Sequence, residues 1–120
     1  MELTSQKLRK IAPELDPLRL GTGWKLEDLS KPQIIIESTF GDSHPGSAHL
    51  NLFVERAIEG ISKEGGKGAR YFATDICDGI AQGHDGINYS LASRDMIANM
   101  IEIHGNATGF DAGVFIASCE

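Results

Sequence analysis

The sequence predicts an α/β fold of three layers, with one parallel sheet between helices and the order strand, helix, strand, helix, strand. Three observations lead to this prediction. Short β-branched or apolar runs fit buried strands, longer segments carry apolar residues at steps of three and four, and the two kinds of segment alternate along the chain. Because helices join the strands, we expect parallel pairing with right-handed crossovers. Three strands leave an open edge, so we expect the N-terminal portion of a larger α/β domain.

The first 32 residues are interpreted as an N-terminal arm, and residues 33–120 as the partial α/β domain. A short helix is predicted from Thr4 to Ala12, with Thr4 as its N-cap and Pro13 as its stop. We expect the remainder of the arm to lie as a strap on another part of the protein.

The domain is predicted to begin with a buried strand at Gln33–Ser38, a short β-branched run. A loop with glycine and proline follows, and then a helix from His49 to Lys63 that Gly65 and Gly66 end. The second strand is predicted at Ala69–Thr74. One apolar face of the helix is expected to lie on the sheet, formed by Leu50, Phe53, Val54, Ala57, Ile58 and Ile61.

The second half of the domain is predicted to start with a long polar loop over residues 75–92. Ser93 is the expected N-cap of the next helix, and Gly105 is its expected stop. The third strand is predicted at Ala112–Ala117. The residues of this helix that are expected to face the sheet are Met96, Ile97, Met100 and Ile101.

Composition and charge exclude several classes of protein. The chain has 120 residues, of which 41% are hydrophobic and 23% are charged, as in one globular domain. No apolar run is long enough for a membrane span, and the N-terminus lacks the apolar core of a signal peptide, so we expect a cytoplasmic protein without a membrane partner. The net charge of −6 argues against a general nucleic-acid binder.

The negative charge is concentrated after residue 70. Residues 71–120 hold seven acidic residues against one basic residue, Arg94, whereas ten of each balance in residues 1–70. Such a distribution fits either a cation site or a solvated acidic surface.

The predicted carboxyl ends of the strands carry the residue types that hold metals. An open parallel sheet binds its ligand outside these ends. Asp78 follows the second strand, and Cys119 and Glu120 follow the third. A thiolate suits a soft metal or an iron–sulfur cluster, and carboxylates suit Mg²⁺. Inert packing of a buried cysteine is the alternative interpretation of Cys119.

Two segments carry a resemblance to a known family. The runs ICDGIAQGHDGINYSLASRDMIANMIE and FDAGVFIASCE resemble the dihydroxy-acid dehydratase / 6-phosphogluconate dehydratase family, whose signature is D-G-x-x-x-G-x-x-G-M-x-x-S-L-x-S-R-x-x-I-A. Isoleucine stands at the position of the methionine, Ile87, and the resemblance extends from about Gly21 to Glu120. The matching positions are Asp78, Gly79, Gly83, Gly86, Ser90, Leu91, Ser93, Arg94, Ile97 and Ala98.

The resemblance implies a hydro-lyase that removes water from a 2,3-dihydroxy acid or a sugar acid to give a 2-keto acid. It also implies an iron–sulfur cluster, of the 4Fe–4S or the 2Fe–2S type, and a neighbouring Mg²⁺. By position, Cys119 is similar to the cluster cysteine of the family, and Asp78 to a Mg²⁺ ligand. Glu120 takes the place of an aspartate that binds Mg²⁺ in the family. For the full-length form we expect a homo-oligomer.

The chain also departs from the family pattern. Gly46 stands where one branch has its first cluster cysteine. The lysine that follows the metal-binding acid in the family, a further cluster cysteine and the serine base fall beyond residue 120. We therefore expect this chain alone to be inactive. The leading interpretation is a fragment of the branched-chain amino acid enzyme; the alternatives are a fragment of a sugar-acid, gluconate-type dehydratase and a small stand-alone α/β binding domain.

Overall fold

The computed structural model describes residues 1–118. The described helices and strands follow one another in the order helix, helix, strand, helix, strand, helix, helix, strand, with a 3-10 turn at Leu26–Ser30 and another at Asp85–Tyr89. The bounds are α1 Thr4–Ile11, α2 Leu15–Gly21, β1 Gln33–Ser38, α3 Leu50–Lys63, β2 Lys67–Phe72, α4 Asp78–Ala81, α5 Ser90–Thr108 and β3 Ala112–Ile116.

The three strands form one parallel sheet with β1 in the centre. The order across the sheet is β2-β1-β3, with Gln33 opposite Lys67 and Ile34 opposite Ala112. The predicted α/β class and the parallel pairing of all three strands are therefore confirmed. The carboxyl ends of the strands meet at one edge, which is where such a sheet is expected to bind its ligand.

The two long helices lie on opposite faces of the sheet. A Cβ at Gly68 would lie 2.9 Å from Cδ1 of Ile36 and 3.4 Å from Cγ1 of Ile58, so α3 packs closely on this face. Successive residues of a strand point to opposite faces, so Glu37 points to the other one, together with Tyr71 beside it on β2. There the ring of Tyr71 lies 4.4 Å from that of His104 in α5. The predicted three layers are confirmed.

The expected sheet-facing residues are only partly correct. Leu50 and Val54 of α3 are buried, but Phe53 is 53% exposed because its ring lies on the flank of the helix, edge-on to His49. In α5, Met96 and Met100 are exposed by 60% and 39%. The reason is that α5 contacts the sheet through His104, near its carboxyl end, while its first turns pack on the 3-10 turn Asp85–Tyr89.

Several predicted boundaries were wrong. The N-cap of α1 is Leu3 and not Thr4, which is the first residue of the helix. The helix α5 begins at Ser90, and Ser93 lies within it and donates to the Ser90 carbonyl. Gly105 does not end α5, which runs on to Gly109, a residue in the left-handed conformation with φ 70°.

The other differences concern loops and strand ends. The predicted loop 75–92 contains α4 and a 3-10 turn, and β2 lies two residues earlier than predicted. Within residues 1–32 the sequence interpretation also missed α2 and the turn Leu26–Ser30.

The N-terminal residues are fastened to the amino end of the sheet. The Ser5 hydroxyl and backbone N–H donate to the Asp111 carboxylate at 2.7 and 2.9 Å, and the same carboxylate accepts from the backbone of Gln33. Asp28 forms ion pairs with Lys31 and Lys67. The hydrogen bond from Lys31, with others from the Lys25 backbone and from Lys67, lowers the pKa of Asp28 far below its usual range.

Among the described residues, no helix has the length and apolar character needed to cross a membrane.

Candidate functional site

The carboxyl edge of the sheet is organised by one buried carboxylate, Asp75, that the sequence interpretation did not single out. The Nε2–H of His44 donates to its Oδ1 at 2.8 Å, since an ionised carboxylate can only accept. The hydroxyls of Ser47 and Ser118 donate to its Oδ2 at 2.7 and 2.9 Å. The hydroxyl of Thr39 lies 3.4 Å from that of Ser47. One side chain thus joins segments that follow all three strands.

This cluster is polar and largely buried, with Ser118 half-buried. The side chains of His44 and Asp75 are 1% and 8% exposed, and Ser47 and Thr39 are buried. Burial alone would raise the pKa of Asp75, but the hydrogen bonds from Ser47, His44, Ser118 and Thr39 together outweigh it and hold that pKa below the usual value. Asp75 is therefore an anion at neutral pH, in a setting where several donors compensate its charge.

Asp78 lies at the first position of α4, three residues beyond Asp75. Its side chain is 41% exposed. The hydroxyl of Ser90 donates to its Oδ1, and Nη2 of Arg94 lies 3.6 Å from its Oδ2. Ser90 and Arg94 are four residues apart at the start of α5, so one face of that helix carries both. The spacing of these three residues in the signature is explained by this contact.

Two of the three glycines in the same signature, Gly83 and Gly86, have steric reasons. Gly83 has φ +81°, a conformation that other residues seldom adopt. A Cβ at Gly86 would lie 2.4 Å from Cε1 of the His84 ring. Both ring nitrogens of His84 are used locally: Nδ1 accepts from the Gly86 backbone at 3.1 Å, and Nε2 lies 2.9 Å from the Ile80 carbonyl. His84 therefore shapes the turn that leads into α5.

A cavity of about 330 Å³ opens between Asp75 and the turn that contains His84. Its lining includes Asp75, Cys77, His84 and Tyr89, and the greater part of it is apolar. The cavity is a place where a small molecule could lie beside the carboxyl edge.

The structure places only one of the three predicted site residues. Asp78 lies at the carboxyl edge, as predicted, while Cys119 and Glu120 lie outside the described residues, so their expected clustering with Asp78 stays a prediction. Within residues 1–118, no three or more His, Cys, Asp or Glu side chains are grouped so that they could hold a metal ion.

The residues that sequence reasoning missed are His44, Ser47, Asp75 and Ser118. The only signal available was the presence of polar residues directly after each predicted strand. That signal does not say which of them meet, because they are up to 74 positions apart in the chain.

Comparison with known proteins agrees with the signature. Residues 31–120 match the family model described as dihydroxy-acid/6-phosphogluconate dehydratase N-terminal. A dihydroxy-acid dehydratase of Methanococcus aeolicus is 42% identical over 98 residues, which are 82% of this chain and 18% of that protein. Proteins of the same name from Dehalococcoides mccartyi and Akkermansia muciniphila are 42% and 40% identical over 109 residues, 91% of this chain and 20% and 19% of theirs.

The chain thus spans about a fifth of the length of the curated relatives that it matches. The match nevertheless includes Asp78, Ser90, Arg94 and the glycines of the turn between them. The chain belongs to the dihydroxy-acid/6-phosphogluconate dehydratase N-terminal family.

Proposed function

We propose that this chain forms the N-terminal part of a hydro-lyase that converts a 2,3-dihydroxy acid of the branched-chain type into a 2-keto acid. The observation that carries the proposal is the group formed by Asp78, Ser90 and Arg94 at the carboxyl edge. The names of the relatives support the dihydroxy acid as substrate. We further propose a cytoplasmic homo-oligomer as the working form.

The reaction requires that a proton leaves C2 and that the hydroxyl leaves C3 as water, after which the enol becomes the 2-keto acid. A bound Mg²⁺ would polarise the carboxylate and the 2-hydroxyl, and an iron–sulfur cluster would act as a Lewis acid on the 3-hydroxyl. In this proposal Cys119 binds the cluster, and Asp78 and Glu120 bind the Mg²⁺.

The described residues fit the Mg²⁺ part of this proposal. Asp78 offers carboxylate oxygens, the ligand type that Mg²⁺ prefers, and Mg²⁺ is commonly held by one or two carboxylates with water and substrate. Ser90 orients one oxygen of Asp78, and Arg94 stands beside the other. These two contacts hold the Asp78 carboxylate in place, and both are made by side chains of this chain.

The test uses the full-length protein, meaning this chain together with whatever follows it in its reading frame. The protein is purified without oxygen, its iron and sulfide are measured, and 2-keto acid formation is followed with and without Mg²⁺. Asp78→Asn is expected to lower the Mg²⁺-dependent rate by more than about tenfold, the loss common for residues that support a metal. Asp95→Asn, a matched change of an exposed acid on α5, is the control.

The outcomes separate the candidates. Equal rates for Asp78→Asn and the wild type would overturn the assigned role of Asp78. Turnover of gluconate-type acids instead of branched-chain dihydroxy acids would identify the sugar-acid dehydratase alternative, which the family description also covers. If neither substrate class yields a keto acid, the stand-alone binding domain is the interpretation that remains.

A further inference from the structure

The buried Asp75 cluster has a feature that the reaction alone does not explain. Asp75 follows β2, its partners His44 and Ser47 follow β1, and its partner Ser118 follows β3. Backbone hydrogen bonds hold the strands side by side and reach one residue beyond them, from the Ala73 N–H to the Ser38 carbonyl and from the Thr39 N–H to the Ile116 carbonyl. The hydrogen bonds to Asp75 then join the segments that follow. A single carboxylate that receives donors from two other segments therefore sets how these three segments lie relative to one another.

Two of these segments lead to positions that matter for the proposed function. Ser118 directly precedes Cys119, the proposed cluster ligand. His44 and Ser47 flank Gly46, the position at which one branch of the family carries a cluster cysteine. Neither His44 nor Asp75 belongs to the signature residues, so the shared signature does not account for this cluster.

We infer that Asp75 is a positioning residue of the carboxyl edge: its carboxylate holds Ser118 and the loop of His44 and Ser47 in place, and through Ser118 it fixes the chain next to Cys119. Where it concerns the iron–sulfur cluster, the inference rests on the proposed function. It is a role through neighbours, because both carboxylate oxygens of Asp75 accept hydrogen bonds from these segments.

The chemistry of the Asp75 cluster suits a positioning role. An anionic carboxylate forms stronger hydrogen bonds than a neutral acceptor. The carboxylate orients the imidazole of His44 and fixes its tautomer, in the way that buried carboxylates orient histidines around metal sites. Ser47 and Ser118 share Oδ2, with 3.5 Å between their own hydroxyl oxygens, so a movement of either segment disturbs the other.

The first arm of the test measures amide hydrogen exchange in the full-length protein. Asp75→Asn is expected to speed exchange about tenfold in the two remote segments, residues 39–49 and 112–118, because each loses a hydrogen bond to a charged group. Residues 50–63 in α3 should keep their rates, and Asp95→Asn should change neither segment. Faster exchange only at residues 73–78, or an equal increase everywhere including α3, would overturn the inference.

The second arm measures iron rather than activity. Ser118→Ala is expected to lower the affinity for iron about tenfold in competition with a chelator, as is typical for the loss of an outer partner of a metal site. Ser118→Thr keeps the hydroxyl and should restore the affinity. Equal iron retention in Ser118→Ala and the wild type would show that Asp75 does not position the cluster ligand.

The two arms also distinguish this inference from the proposed function. A full-length wild type that takes up no iron would refute the proposed cluster, and with it the link to Cys119. The exchange arm would then still decide whether Asp75 positions the three segments. Faster exchange in both remote segments supports that role, and unchanged exchange rejects it.

Discussion

Glu37 lies in the central strand and offers the sharpest test of the packing between the sheet and α5. It is 3% exposed, and among the described residues its Oε1 is buried without a hydrogen-bond partner. Burial raises the pKa of Glu37 above its usual value. An ionised Glu37 therefore lowers the stability of the fold, and we predict that Glu37→Gln stabilises the chain at neutral pH.

The sign follows from proton linkage. A carboxyl whose pKa is higher in the folded state binds its proton more tightly there, so stability falls as pH rises from the unfolded pKa through the folded one. Each unit of difference corresponds to about 1.4 kcal/mol. A buried polar group without a partner costs about 1–3 kcal/mol, and a charged group costs more. The gain from Glu37→Gln should thus be of the order of 1–3 kcal/mol at pH 7.5 and close to zero at pH 4, where Glu37 is neutral.

Urea unfolding at both pH values measures this difference, with the fluorescence of Trp24, the single tryptophan, as the signal. Glu64→Gln is the matched control, because Glu64 is exposed and its replacement should change the free energy of unfolding little. A variant Glu37→Gln that is less stable than the wild type at pH 7.5, or that shows no dependence on pH, would refute the burial of an unpartnered carboxylate.

Three further predictions concern stability. Ile36→Ala should lower the free energy of unfolding by about 2–5 kcal/mol, because Ile36 is completely buried in β1, and an unchanged urea midpoint would contradict this. Gly109→Ala should lower the free energy of unfolding in urea by about 1–2 kcal/mol, because φ at Gly109 is +70° and the new Cβ would meet Leu8. Gly105→Ala is the control that should not destabilise, because a Cβ at Gly105 would lie in open space. Ile58→Asp should abolish soluble expression, since α3 would carry an unpaired charge against the sheet, and a soluble variant with an unchanged melting curve would argue against this packing.

The sheet could be predicted from sequence because its signals are local. The β-branched run of β1 follows Pro32 directly, and both of its ends were predicted correctly. The ends of β2 were less predictable, since Lys67 and Gly68 have weak strand preference and pair only because Gln33 and Ile34 lie opposite them. Tertiary pairing, which the local sequence does not encode, decides such a boundary.

The helices were predictable in their existence more than in their lengths. Gly105 is a frequent helix stop, yet α5 continues through it, because the left-handed conformation that ends the helix is adopted at Gly109. The helix α2 was missed because Pro17 suggests a break. Proline is tolerated there because it falls in the first turn, where a backbone donor is not needed.

The candidate site was also predictable from the sequence only in part. The role of Asp78 could be proposed from a signature of closely spaced residues, and the structure adds that Ser90 and Arg94 of that signature hold its carboxylate. The Asp75 cluster depends on residues that meet only after three strands have paired. No spacing rule identifies Ser118 as a partner of Asp75.

The most direct test of the central claim is the formation of 2-keto acid by the full-length protein, purified and assayed without oxygen in the presence of Mg²⁺. We predict turnover of a branched-chain 2,3-dihydroxy acid that depends on Mg²⁺, that is accompanied by protein-bound iron and sulfide, and that is lost in both Asp78→Asn and Cys119→Ala. A folded full-length protein that binds no iron and forms no 2-keto acid from either dihydroxy acids or sugar acids would contradict the claim.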